Sequence, residues 1–277
     1  MSDSGARSLL IGATAADTKR AVLIWNAIRK YFHEAGLPVE YALYSTYDAL
    51  CEHLLAGHVD IAWNAPMAHA QSLLAGAGCR TLAMRDTDED VHTLLVTRSD
   101  SGIDSLADVA GRRVALGLQT SSELWLIPVA QMAEDGVDPR TACELVELPS
   151  RTYPNLQEWV DDPTIFDAVL DGTADAGVIF EPWLPALSRK RGLDPDAIRV
   201  VWRSRPYSHC AFTSRPGLGS TTCDRFVELL LAMDPEDDEI AEMMRMEHLS
   251  TWVVAADDGW RDLMDSIEAA GLTGRTF

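Results

Sequence analysis

Four short stretches carry residue types and spacings suited to handling a small charged molecule. In Gln119-Thr120-Ser121-Ser122, consecutive hydroxyls lead into Glu123-Leu124-Trp125. At a helix start, such hydroxyls and the free backbone N–H groups form a cradle for an oxyanion. The same hydroxyls would also serve as ordinary helix caps. Ser45-Thr46-Tyr47 repeats the construction with a phenol behind it, and Trp63-Asn64-Ala65-Pro66-Met67-Ala68-His69 gathers an amide, an imidazole and an indole. The fourth stretch is Arg205-Pro206-Tyr207-Ser208-His209-Cys210. If it is extended, Tyr207 and His209 share one face and Ser208 and Cys210 the other, so His209 and Cys210 are not expected to act as a nucleophile–base couple. Glu181, ahead of Pro182, is a further acid for the same cleft. The expected ligand-binding set is therefore Tyr47, Asn64, His69, Thr120, Ser121, Ser122, Glu181 and His209. Were the chain an enzyme, His69, His209, Glu181 and Tyr47 would be its acid–base groups.

No nucleophile elbow, phosphate-binding P-loop, HExxH zinc motif or dinucleotide fingerprint occurs. The spacing of His69, Glu181 and His209 gives no support for a metal, and neither a metal nor a cofactor is expected.

The elements that must position these groups follow from periodicity. Leu55-Ala56-Gly57-His58-Val59-Asp60-Ile61-Ala62 returns as Leu170-Asp171-Gly172-Thr173-Ala174-Asp175-Ala176-Gly177. Each copy ends a helical run, turns on Gly and enters an apolar strand behind an Asp. Upstream of each lies an apolar strand that runs into hydroxyls and a helix: Ser8 to Thr14, and Arg113 to Ser122. Val22, Trp25, Ile28 and Phe32 recur at helical spacing until Gly36 and Pro38 stop the helix. Strands are expected at 39–44, 59–63, 79–84, 92–97, 113–118, 144–148, 174–180, 198–202 and 210–213, with residues 149–163 irregular and the tail from Thr222 mostly helical. Alternating strands and helices predict an α/β protein with two parallel or mixed sheets flanked by helices. The plan restarts near residue 98, which divides the chain into a discontinuous first lobe, 1–97 and 206–277, and a second lobe, 98–205. Two crossings between them make a two-strand hinge, and a small molecule would be held at the strand tips between the lobes.

A net charge of −20 over 277 residues excludes nucleic acid and anionic membrane surfaces as natural partners. No apolar run is long enough to span a bilayer. Met1 to Arg7 has no basic region followed by a long apolar run, so the expected address is the cytoplasm, or the periplasm or a lipid anchor if a leader has been trimmed. Cys51, Cys79, Cys143, Cys210 and Cys223 form no paired spacing and read as reduced thiols.

With these pieces in place, the chain resembles the type II periplasmic binding proteins, and within them the phosphonate/phosphite solute-binding family of ABC transporters. The resemblance rests on the 55–66 segment ending Asp60-Ile61-Ala62-Trp63-Asn64-Ala65-Pro66 and on Asp100 to Ala115. It extends through the hydroxyls at 120–122, Gly172 to Gly177, and Asp257-Asp258-Gly259-Trp260. It implies a two-lobed fold and capture of a small anion, phosphonate-like, phosphate-like or a carboxylate, by hinge closure, with an ABC permease as partner if the protein is exported. It also implies that Thr120, Ser121 and Ser122 hold the oxyanion and that Tyr47 faces it. The chain departs from the family where His69 stands for a common Tyr. It departs again where Ser150-Arg151-Thr152-Tyr153 stands for a histidine-bearing turn. Cytoplasmic lyases, decarboxylases and dehydratases of this fold give the alternative: the same cleft working on a carboxylated substrate.

Overall fold

The computed structural model describes residues 7–15, 17–75, 78–152 and 158–274, so Tyr153 of the departing turn lies outside the described residues. Strand β1 (Leu9–Thr14), helix α1 (Thr18–Glu34), β2 (Val39–Tyr44), α2 (Tyr47–Leu55) and β3 (Ile61–Asn64) form a parallel unit with β1 in its middle. Asp17 starts α1 by accepting the N–H groups of Lys19 and Arg20. The helix then buries Ile24, Trp25, Ile28 and Phe32 along one face. After α3 (Pro66–Leu74), β4 (Arg80–Thr81) and β5 (Ala83–Arg85), the chain leaves the first sheet.

The second sheet repeats the plan. It opens with β6 (Thr93–Arg98) and β7 (Arg113–Ala115). A π-helical turn (Ser122–Leu126) then runs into α4 (Ile127–Glu134), followed by α5 (Pro139–Ala142) and β8 (Glu144–Val146). A small pair, β9 (Arg151–Thr152) and β10 (Glu158–Trp159), precedes α6 (Asp162–Asp171), β11 (Ala176–Phe180), α7 (Leu184–Lys190) and β12 (Ile198–Arg203). The chain then crosses back. Strand β13 (Ala211–Ser214) enters the first sheet, and α8 (Ser220–Leu231), α9 (Asp238–Glu247), β14 (Trp252–Val254) and α10 (Arg261–Ala269) follow.

The strand orders are β2-β1-β3-β13-β4 and β8-β7-β11-β6-β12. Both sheets are mixed. In each, the third strand is parallel to the first and antiparallel to the fourth, which in the first sheet is the returning β13 and in the second is β6. Because Thr93–Arg98 pairs throughout with β11 and β12, this strand belongs with the second sheet even though its residues fall mostly before 98.

Each sheet has its own apolar core, one around Ile11, Phe32, Phe212 and Phe226, the other around Leu95, Ile165, Phe166 and Ile179. A third cluster joins the two bodies: Met67, Trp260, Leu263 and Ile267 from the first pack with Leu126, Ile127 and Phe180 from the second. The two crossings, residues 86–92 and 204–210, run side by side and exchange N–H···O bonds of 3.0 Å between Val91 and Tyr207. Residues 79–84 form two short strands rather than one, and the helical tail is interrupted by β14, which pairs with β5.

Candidate functional site

The crossings bring groups from both bodies to one place. Asp88 ends a short turn on the first crossing, and its backbone carbonyl accepts from the N–H of His209 on the second, at 2.9 Å. Side chains follow the backbone. His209 Nδ1 lies 3.0 Å from Asp88 Oδ1, and His209 Nε2 lies 3.0 Å from Glu123 Oε1 on the π-helical turn of the second body. Arg85, at the end of β5, grips Asp88 with Nε and Nη2 and reaches Glu247 with Nη1. Phe180, at the tip of β11, stacks on the His209 ring with centroids 4.9 Å apart.

The Asp257-Asp258-Gly259-Trp260 segment clamps this crossing. Trp260 Nε1 donates to the His209 carbonyl at 2.9 Å, and Ser208 N donates to the Gly259 carbonyl at 2.8 Å. A Cβ at position 259 would fall 2.0 Å from Ser208 Oγ, so only glycine allows the approach.

The charge states follow from these contacts. Burial opposes an imidazolium at His209, but the adjacent Cys210 sulfur and the two carboxylates outweigh it and hold the ring protonated well above the usual histidine range. Burial likewise works against the Asp88 and Glu123 carboxylates, yet hydrogen bonds from His209, and from Arg85 for Asp88, keep both below the ordinary values. Tyr47 hydrogen-bonds Thr14 at the tip of β1; burial, then the field of Cys210, raises its phenol pKa. His209 and Glu123 act on that phenol too, which places Tyr47 beside this cluster from the side of the first body.

Of the residues expected at the site, the structure thus gathers Tyr47, Ser121 and His209. Ser121 is buried. Its hydroxyl accepts from Leu124 N–H at 3.1 Å, capping its own helix, and donates to Glu123 Oε2 at 3.3 Å. Ser122 is buried beside it, whereas Thr120 is exposed.

Two others lie elsewhere. His69 is fully buried with its ring nitrogens on Thr213 Oγ1 (2.7 Å) and Thr81 Oγ1 (3.1 Å), against the Trp260 ring. Burial pushes its pKa down to about 3, so it is a neutral packing group without access to a ligand. Asn64 is buried in the same knot and donates to Thr213 Oγ1 at 3.0 Å. Glu181 is partly exposed and pairs with Arg203 at 2.8 Å.

The alternating-face geometry expected for His209 and Cys210 does not hold. Cys210 Sγ lies 3.2 Å from His209 Nδ1, so the neighbours do meet. Asp88 and Glu123 were not anticipated. The one signal for Glu123 was its place directly behind the hydroxyl cluster.

Beside the hydroxyl turn, the carboxyl ends of β7 and β8 open on a cavity of about 410 Å³. Leu116 to Gln119, Leu145 to Leu148, Trp125 and Val160 line it. That size suits a small organic ligand.

The family described as "ABC transporter, phosphonate, periplasmic substrate-binding protein" matches residues 11–260. The phosphate-import protein PhnD of Mycolicibacterium smegmatis is 26% identical over 207 residues, covering 73% of this chain and 63% of that protein's length. Among solved structures, PhnD1 of Prochlorococcus marinus in complex with methylphosphonate superposes with a TM-score of 0.68 at 15% identity, over 96% of this chain and 98% of that one. A Xanthomonas citri protein bound to ATP gives 0.71 at 16% identity, over 98% and 100%. These likenesses show the periplasmic-binding-protein fold anticipated from the sequence. No helix among the described residues is long and apolar enough to cross a membrane.

Proposed function

The chain belongs to the family of periplasmic substrate-binding proteins of phosphonate ABC transporters, and from that premise we propose that it captures a small phosphorus oxyanion between its two bodies and delivers it to an ABC permease. The observation that carries the reading is the meeting of Tyr47 from the first body, Ser121 and Glu123 from the second, and His209 from the crossing at one partly buried point. The lobes that close are the bodies built on the two five-stranded sheets, and the paired crossings are their hinge. The relatives named above take phosphate, methylphosphonate and ATP, which share a tetrahedral phosphorus carrying several acceptor oxygens. Ser121 Oγ and the N–H groups at the start of the π-helical turn are the donors such a group requires, and the His209 imidazolium, whose own N–H groups are held by Asp88 and Glu123, adds positive charge beside them. The cavity beside the turn is the space for a substituent on phosphorus.

The alternative of a lyase or dehydratase draws no support from the family or the relatives. Of its four candidate acid–base groups, His69 is buried inside the core.

Calorimetric titration and thermal unfolding with methylphosphonate, inorganic phosphate and ATP, with succinate as the carboxylate control, test the reading. A true ligand at a hundred times its Kd stabilises the fold by about 2.7 kcal/mol. Ser121→Asp places a carboxylate in the cradle and should abolish that gain. If none of the three phosphorus compounds shifts unfolding or gives heat, capture of a phosphorus oxyanion is wrong. Fractionation of cells producing the native gene product decides between the family's periplasmic address and the cytoplasmic one expected from the sequence.

A further inference from the structure

Asp88, His209 and Cys210 are brought together by the crossings, and of the three the anion-binding reading uses only His209. One donor atom from each lies within 4.8 Å of the other two. Two of them converge on a single ring nitrogen: Asp88 Oδ1 at 3.0 Å and Cys210 Sγ at 3.2 Å from His209 Nδ1. One Nδ1 proton cannot satisfy a carboxylate oxygen and a sulfur equally, whereas a divalent cation at that point would be bound by all three.

The surroundings are those a metal-bound histidine needs. When one ring nitrogen ligates, the other N–H is normally donated to a carboxylate, which fixes the tautomer and strengthens the ligand. Here His209 Nε2 faces Glu123 Oε1 at 3.0 Å. The carboxylate ligand is oriented in turn, since Arg85 holds Asp88 from the far side with two N–H groups. Phe180 covers the imidazole face. A carboxylate oxygen, an imidazole nitrogen and a thiolate form a borderline-soft set that suits a tetrahedral zinc-type ion with its fourth position open.

We propose that Asp88, His209 and Cys210 form a binding site for a divalent transition metal of the zinc type at the hinge, with Glu123 and Arg85 as the residues that position its ligands. Binding displaces the thiol proton of Cys210 and the Nδ1 proton of His209 to solvent, while the Nε2 proton stays on the ring and is donated to the Glu123 carboxylate. The site shares His209 and Glu123 with the proposed anion site, and its test uses metal alone.

The full chain, reduced and stripped with a chelator, is titrated with Zn2+ by calorimetry and with Co2+ by absorption. One equivalent should bind, and the Co2+ form should show a thiolate-to-cobalt charge-transfer band in the near ultraviolet. Cys210→Ser should remove that band, while Cys79→Ser and Cys143→Ser should keep it. Glu123→Gln should keep the band and weaken binding by about 10–100-fold. Because a variant can misfold, X-ray absorption of the wild-type zinc form gives a second test: one sulfur at about 2.3 Å with the remaining ligands nitrogen or oxygen. The absence of stoichiometric binding, a zinc shell without sulfur, or a charge-transfer band surviving in folded Cys210→Ser would each overturn the proposal.

Discussion

The first and second bodies contain the same five-element unit, β1–α1–β2–α2–β3 and β7–α4–β8–α6–β11, with matching strand order. Superposing them in the mind explains the repeated phrase in the sequence. Asp60 N–H donates to the Leu10 carbonyl at 2.9 Å, and Asp175 N–H donates to the Arg113 carbonyl at 2.8 Å. The carboxylates return the favour by accepting from Leu10 N at 2.9 Å and Arg113 N at 3.0 Å. Gly57 and Gly172 make the preceding turns with φ of +78° and +81°. The Gly-x-x-Asp repeat is therefore a clamp between the first and third strands.

The copies differ in what balances the acid. Asp60 is fully buried and is balanced by two arginines, Arg7 just ahead of β1 and Arg215 just past β13, the second arriving only after the chain has built the other body. Asp175 is partly exposed and uses Arg113 of the strand it clamps. Asp60→Ala removes an acceptor shared by two arginines and the Leu10 N–H and should cost about 3 kcal/mol. Asp175→Ala loses a solvent-screened pair and should cost about 1 kcal/mol. Urea unfolding of both variants measures the difference. Equal losses would break the comparison and mean that the long-range partner adds nothing.

A second contrast lies at the starts of the helices before each clamp. Counting back from the two glycines, Thr46-Tyr47 corresponds to Asp161-Asp162. Tyr47 reaches Thr14 and the hinge cluster, whereas Asp162 is buried and accepts from Phe180 N–H at 2.6 Å. Burial raises the Asp162 carboxyl to about 7, and the charge of Glu123 adds to the effect. A carboxyl with a raised folded pKa binds more protons folded than unfolded, so stability falls as pH rises from about 4 to 7. Asp162→Asn keeps an acceptor for Phe180 and removes the titration. It should gain up to about 4 kcal/mol at pH 8 and nothing near pH 4. A pH series of unfolding midpoints checks this, and a gain that does not change with pH would refute the titration account.

Legibility in the sequence followed regularity. Helix α1, the glycine stops and both five-element units were readable because their apolar residues recur at fixed spacing over many residues. Strand β14 was not, since three residues, Trp252–Val254, carry too little pattern inside a helical stretch. In the site, Ser121 and Tyr47 were readable as uncommon polar residues at helix starts. Asp88 and Glu123 were hidden among 43 acidic residues, and only the crossings single them out. The alternating-face rule misplaced Cys210 because it presumes a regular strand. Residues 204–210 hold a single bridge, at Tyr207, and beyond it the backbone is tied to Gly259 and Asp88 rather than to a strand ladder, with Sγ lying back against the imidazole. The hydroxyl turns were also paired loosely. By topology the counterpart of Ser121 is Asp17, the cap of α1, and that of Thr46 is Asp161.

The smallest effect separates capping from binding. Thr46 Oγ1 accepts from Ala49 N–H at 3.3 Å, and Ser121 Oγ from Leu124 N–H at 3.1 Å, so as caps the two hydroxyls are equivalent. Either residue changed to alanine should cost about 1 kcal/mol of stability, whereas glycine, itself a tolerated cap residue, should cost only a few tenths, roughly. Ser121, unlike Thr46, also donates toward the carboxylate of Glu123 at the meeting point of the two bodies. Ser121→Gly should therefore remain nearly as stable as wild type and yet lose roughly tenfold in methylphosphonate affinity, about the worth of one hydrogen bond to a charged group. Thr46→Gly should lose neither. Calorimetry on the two glycine variants reads the contrast directly. Unchanged affinity in Ser121→Gly would reduce its hydroxyl to a helix cap and leave the N–H groups and His209 to hold the anion.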